Sequence, residues 1–178
     1  MSELALRAFI AYCQEQQPSP PQRVRQFFEG VVAFPYDNEL LLQAYLYLNI
    51  ATLFPSCQTL LLFEKAPIGD RTDLGKCDLI YLTTDRTLFS IETKYIDTAT
   101  TGPTERKRRN KHRNQAIAQA RDRRDRFLQA WSINPAQITC GIFTTDPEIG
   151  TRLENPDIVA RYVTLEALHH WQQTYFDH

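Results

Sequence analysis

Glycine is scarce in this chain, six residues in 178, and none stands in a phosphate-cradling loop or a G-x-G-x-x-G turn. G-x-S-x-G is missing too, so NTPase, dinucleotide-enzyme and serine-hydrolase readings have no motif behind them. Cysteine is limited to Cys13, Cys57, Cys77 and Cys140. They are scattered without a C-x-x-C pair, which removes zinc-knuckle and dithiol redox chemistry and leaves reduced core residues. His112, His169, His170 and His178 lie at no metal-ligand spacing from one another or from the cysteines. No run approaches the ~18 apolar residues of a membrane span, and the N-terminus lacks a basic region followed by a continuous apolar stretch. The expectation is a cytoplasmic protein with no membrane partner.

What is present is ordinary in bulk. The 178 residues, 43% of them hydrophobic, suit one domain, 1–178, that buries roughly 70% of its unfolded surface. No internal repeat or linker divides it. Residues 38–54 carry Leu40, Leu41, Leu42, Leu46, Leu48, Ile50 and Leu53 with no Gly or Pro, which predicts a helix. A strand follows over 58–65. Then come two strand-like runs that bear acids, a long helix over about 105–131 with Thr104 as N-cap, and a β-rich run at 138–145. Outside this series, 3–16 has an amphipathic pattern ended by Pro18-Ser19-Pro20-Pro21, and a short helix is expected at 22–29. A strand at 161–163 precedes a closing helix capped by Thr164.

The two acid-bearing runs are Gly75-Lys76-Cys77-Asp78-Leu79-Ile80 and Ile91-Glu92-Thr93-Lys94-Tyr95. Strand side chains alternate between faces, so Glu92 and Lys94 share a side about 7 Å apart while Ile91, Thr93 and Tyr95 take the other. The connection Thr83-Thr84-Asp85-Arg86-Thr87 suits an antiparallel hairpin. An odd loop centred on Asp85 puts Asp78 opposite Glu92. Two acids forced together repel, so one takes a proton or both share a cation; oxygen-only ligation suits Mg²⁺.

Asp78 followed by Glu92-Thr93-Lys94, within the order helix, three strands, helix, strand over about 38–145, resembles the PD-(D/E)xK nuclease superfamily, which includes Holliday junction resolvases and many restriction and repair nucleases. The resemblance implies an α/β fold: a single restriction-endonuclease-like domain with an α-β-β-β-α-β core and a mixed central sheet flanked by helices. An N-terminal helical extension (1–30) and a C-terminal strand and helix (158–176) are additions to it. It implies a metal-dependent phosphodiesterase acting mostly on DNA, with Mg²⁺ or Mn²⁺ held by Asp78, Glu92 and the Thr93 backbone carbonyl. Lys94 would orient the attacking water. The family's first core helix often adds an acid to the metal site, a role that falls here to Glu39; a solitary first-turn glutamate is also favoured by the helix dipole alone. The helix after the site often adds a Gln or a basic residue, which makes Gln115 and Arg113 candidates, although Gln115 and Gln119 project away from the apolar stripe of that helix.

That helix holds most of the positive charge. Residues 105–126 contain ten Lys or Arg and three acids, and the remainder ten basic and eighteen acidic residues, so the net charge of −1 hides a strong asymmetry. A cationic stripe beside an acidic site suits a phosphate backbone. Arg106, Lys107, Arg109 and Arg113 are the expected nucleic-acid contacts, Arg106, Arg109 and Arg113 extending the stripe of Ile117, Ala120, Phe127 and Trp131. The bland alternative is a solvated helix face. Asp70 and Asp73 read as turn residues, and Asp85, Asp97 and Asp146 as loop residues. Lys94 could merely neutralise Glu92, which would leave a catalytically inactive nuclease-fold module that binds nucleic acid or a protein. DNA and RNA are not distinguished by the residues themselves, and a homodimer is left open.

Overall fold

The computed structural model describes residues 2–16, 38–65, 76–152 and 157–176. The helix expected at 22–29, the proline break before it, Asp70, Asp73 and His178 lie outside the described residues. In chain order the elements are α1 (Ser2–Gln16), α2 (Asn38–Leu48), the single turn α3 (Ile50–Leu53), β1 (Cys57–Lys65), β2 (Cys77–Thr83), β3 (Leu88–Lys94), α4 (Pro103–Trp131), β4 (Ile138–Thr144), β5 (Ile158–Tyr162) and α5 (Leu165–Phe176). The fold is α/β, and the expected helix, three strands, helix, strand order is present.

The expected 38–54 helix is split at Asn49, whose side-chain amide donates to the Tyr45 carbonyl at 2.8 Å and so competes with the helical ladder. α4 starts at Pro103, not after Thr104: Gly102 holds the cap position at φ +124° with no side-chain cap. Proline is pre-set for a first helical position and glycine alone tolerates that φ. Thr164 does cap α5, its hydroxyl accepting from the Ala167 amide at 3.2 Å.

The five strands form one mixed sheet in the order β1-β2-β3-β4-β5. β1, β2 and β3 run antiparallel, whereas β4 joins β3 and β5 joins β4 in parallel. A parallel neighbour requires a crossover, and α4 supplies it between β3 and β4. Period-two alternation divides the core. Leu79, Tyr81, Phe89, Ile91 and Phe143 face α2 and α5 residues such as Leu42, Leu46 and Leu168. Ile80, Leu88 and Ile138 face Phe9 of α1 and Phe127 of α4, and Phe9 meets the Phe127 ring edge-on at 5.4 Å. β3 is buried on both faces up to Thr93. Gly141 of β4 is required by packing, since a Cβ there would lie 2.5 Å from the Phe89 ring. All four cysteines are free and buried. Among the described residues no helix is long and apolar enough to cross a membrane.

Candidate functional site

The β2–β3 connection sets the register. Thr83 N–H donates to the Thr87 carbonyl at 2.9 Å, and Arg86 N–H to the Thr83 carbonyl at 3.0 Å. Arg86 takes φ +58°, so the loop is Thr84-Asp85-Arg86, a three-residue turn closed by a left-handed residue. Its odd length pairs Leu82 with Leu88 and Leu79 with Ile91, a register that carries Asp78 to the level of Glu92.

Strict alternation fails one residue before the site. The paired ladder ends at Leu79 and Ile91, and Cys77 packs with Ile80 instead of with Leu79 and Tyr81. β2 therefore parts from β3, and the Asp78 carboxylate fills the fork. Its Oδ2 accepts from the Thr93 amide at 2.8 Å and the Thr93 hydroxyl at 2.7 Å. Thr93 thus fixes Asp78 with its own side chain as well as its backbone, which simple alternation did not anticipate.

Asp78, Glu92, Lys94 and Glu39 all line one cavity of about 570 Å³, joined by Gln43, Glu64, Gln119 and Arg123. Glu92 is 6% exposed and pairs with Arg123, Oε2 to Nε, at 3.1 Å. Lys94 pairs directly with Glu39 instead of Glu92, its Nζ 3.1 Å from Glu39 Oε1. Gln43, buried in α2, donates from Nε2 to Glu64 at 3.0 Å and to the Thr93 hydroxyl at 3.2 Å. Burial, and then the neighbouring Asp78 charge, push the Glu92 carboxyl up to about 8 despite Arg123 and Lys94. Burial likewise raises Asp78, against the Thr93 hydrogen bonds and Arg123. Among the described residues, four acids and two bases line the cavity, a formal excess of negative charge that a cation would relieve.

The helix α4 redistributes the other expected residues. Arg113 is on the inward stripe as expected, with Ala116, Ala120 and Phe127 buried beside it, but it is not open to nucleic acid. It is 3% exposed, its Nη2 lies 2.6 Å from Asp146 Oδ2, and its Nη1 lies 2.8 Å from Glu148. Asp146, expected as an ordinary loop residue, is 1% exposed and also accepts from the Glu148 amide at 3.0 Å. A buried charge requires a partner, and this pair ties α4 to the turn after β4. Arg106 and Lys107 are exposed and Arg109 half-buried, so the stripe ceases to face a core towards the start of α4. Arg109 donates to the Thr100 carbonyl at 2.6 Å.

Gln115 is exposed and is not among the cavity-lining residues. Gln119, expected to project away, lines the cavity, and Arg123 one turn further pairs with an acid of the site. Sequence reasoning missed Arg123, Gln43 and Glu64. The available signals were the i, i+4 spacing of Gln119 and Arg123, and a lone acid ending the apolar Leu60-Leu61-Leu62-Phe63 run. Glu64 adopts φ +50°, a left-handed position uncommon for a residue with a side chain. His112, His169 and His170 take no part in the cavity.

Among the described residues, no three His, Cys, Asp or Glu side chains are grouped closely enough to form a metal cage by themselves. The donor chemistry nonetheless fits a hard divalent ion. Mg²⁺ keeps several waters and is usually bound by one or two carboxylates, which Asp78 and Glu92 provide.

No protein-family model matches this chain, and no curated protein sequence matches it. Among solved structures, the chain is similar to the crystal structure of a repair endonuclease from Pyrococcus abyssi, with 14% identity and a TM-score of 0.46. That likeness covers 72% of this chain and 48% of the endonuclease chain, about half of its length.

Proposed function

We propose that this chain is a metal-dependent nuclease that hydrolyses phosphodiester bonds, with DNA as its substrate. The observation that carries the reading is the convergence of Asp78, Glu92 and Lys94 on one acid-rich cavity. DNA is favoured by the resemblance of Asp78 and Glu92-Thr93-Lys94 to the PD-(D/E)xK pattern. Asp78 and Glu92, with the Thr93 carbonyl, would hold Mg²⁺ or Mn²⁺. Such an ion supplies charge stabilisation at the phosphate and acidifies a bound water. The chain's own groups do the positioning. Thr93 fixes Asp78 through two hydrogen bonds, and Gln43 holds the Thr93 hydroxyl in turn. Lys94 would orient the attacking water, and Glu39, 3.1 Å from its Nζ, would accept that water's proton.

Cleavage of single-stranded, duplex, flapped and four-way DNA, with RNA counterparts, in Mg²⁺ and Mn²⁺ tests this reading. Asp78→Asn should lower cleavage about a hundredfold or more. Mn²⁺ should raise the melting midpoint of the wild type but not of Asp78→Asn, because a ligand stabilises only the state that binds it. Absence of both cleavage and metal stabilisation would favour a non-hydrolytic binding module, a reading supported by the partners Glu92 and Asp78 already have in Arg123 and Thr93.

The exposed start of α4 is the proposed backbone-binding surface. Replacing Arg106, Lys107 and Arg109 together by alanine should weaken DNA binding irrespective of sequence. The magnitude of the salt slope should fall by about 0.9 for each phosphate that is no longer neutralised. A salt dependence identical to wild type would leave these side chains as a solvated face.

A further inference from the structure

Arg123 has an unfinished coordination. It meets Glu92 through Nε at 3.1 Å, while its Nη1 is buried and has no hydrogen-bond partner among the described residues. A guanidinium presents five N–H donors in a planar fork suited to two-point contact with a carboxylate or a phosphate. An orphaned buried donor is poor use of that fork, and leaving it unsatisfied costs free energy. The surroundings explain why it is nonetheless held there. Among the described residues, Arg123 and Lys94 are the two cationic side chains lining a cavity that also holds Glu39, Glu64, Asp78 and Glu92. Lys94 sits on Glu39, which leaves Arg123 to balance the most buried acid.

We propose that Arg123 is a resident counter-ion that changes partners as the site loads, yielding Glu92 to a divalent cation and turning its guanidinium to a phosphate oxygen of the bound nucleic acid. The inference rests on the metal-dependent reading above. A cation approaching Glu92 meets a guanidinium already on the same carboxylate, and two positive charges sharing one partner in a water-poor setting repel. Arg123 is anchored on a long helix by its backbone, but its side chain retains 20% exposure. Rotation of that side chain is sufficient for the exchange, with no movement of α4. The incoming phosphate offers the orphaned Nη1 an acceptor, so metal and nucleic acid each favour the state that the other requires.

Calorimetric titration with Mn²⁺ tests the exchange. Arg123→Gln should bind Mn²⁺ about tenfold more tightly than wild type, having lost the competing charge, and Arg123→Lys should stay near wild type. In a Glu92→Gln background the Arg123→Gln substitution should change Mn²⁺ affinity less than about twofold, because the contested carboxylate is gone. With Ca²⁺ in place of Mn²⁺ to hold cleavage off, Arg123→Gln should bind a short DNA duplex about tenfold more weakly. A readout on the unmodified protein stands beside these: the Nε–H resonance of Arg123 should shift as Mg²⁺ is added, with the same dissociation constant as binding. Mg²⁺ binding with that resonance unmoved, or Arg123→Gln binding Mn²⁺ no more tightly than wild type, overturns the exchange and leaves the nuclease reading intact. Failure of every variant and the wild type to bind Mn²⁺ or Mg²⁺ overturns the metal reading itself, and the exchange with it.

Discussion

Replacing Lys94 by alanine is expected to stop cleavage and leave the fold standing. The Lys94 partner is Glu39, and the two side chains are 26% and 40% exposed. Such a pair contributes about 0–1 kcal/mol, so its loss should move the melting midpoint little. A group that positions a water for attack acts in the transition state, and its removal lowers turnover by about 10²–10⁴-fold while ground-state binding persists. Mn²⁺ affinity and DNA affinity in Ca²⁺ should therefore stay within a few-fold of wild type. A Lys94→Ala protein that melts early yet cuts normally would assign the lysine to structure.

Arg113→Ala should do the reverse. Asp146, 1% exposed, would lose the guanidinium that now lies 2.6 Å away. Breaking a buried pair by removing one partner costs about 3–5 kcal/mol, which corresponds to a fall of roughly 10 °C in the melting midpoint of a chain this size. Because Arg113 is sealed in the core, the salt dependence of DNA binding measured well below the transition should match wild type. A midpoint unchanged from wild type would mean that the Arg113 pair with Asp146 and Glu148 contributes nothing, and a lowered salt slope would return Arg113 to the nucleic-acid surface.

These two lysine and arginine positions show where residue patterns carry information and where they stop. Lys94 lies two residues from Glu92 on one strand, so their shared side follows from local geometry. Arg113 was legible as part of the inward stripe of α4, because a period of 3.6 residues gives the face. What that face meets is another matter. The partners Asp146 and Glu148 come from the turn after β4, more than thirty positions along the chain, and no periodicity in α4 points to them.

The same division runs through the candidate site. The odd loop around Asp85 determined from sequence alone that Asp78 and Glu92 reach one level of the sheet, since parity across a hairpin is a local property. The order of helices and strands was legible for a similar reason: apolar spacing, caps and breaks act within a few residues of one another. Only the tertiary structure decided that β2 leaves β3 at Asp78, that the Asp78 carboxylate fills the fork and is held there by Thr93, and that Gln119 and Arg123 line the cavity while Gln115 does not. A helical wheel assigns each residue an angle about the helix axis. The flank that stands over the end of β3 is set by how α4 crosses the sheet, and that crossing depends on packing made by the whole chain at once.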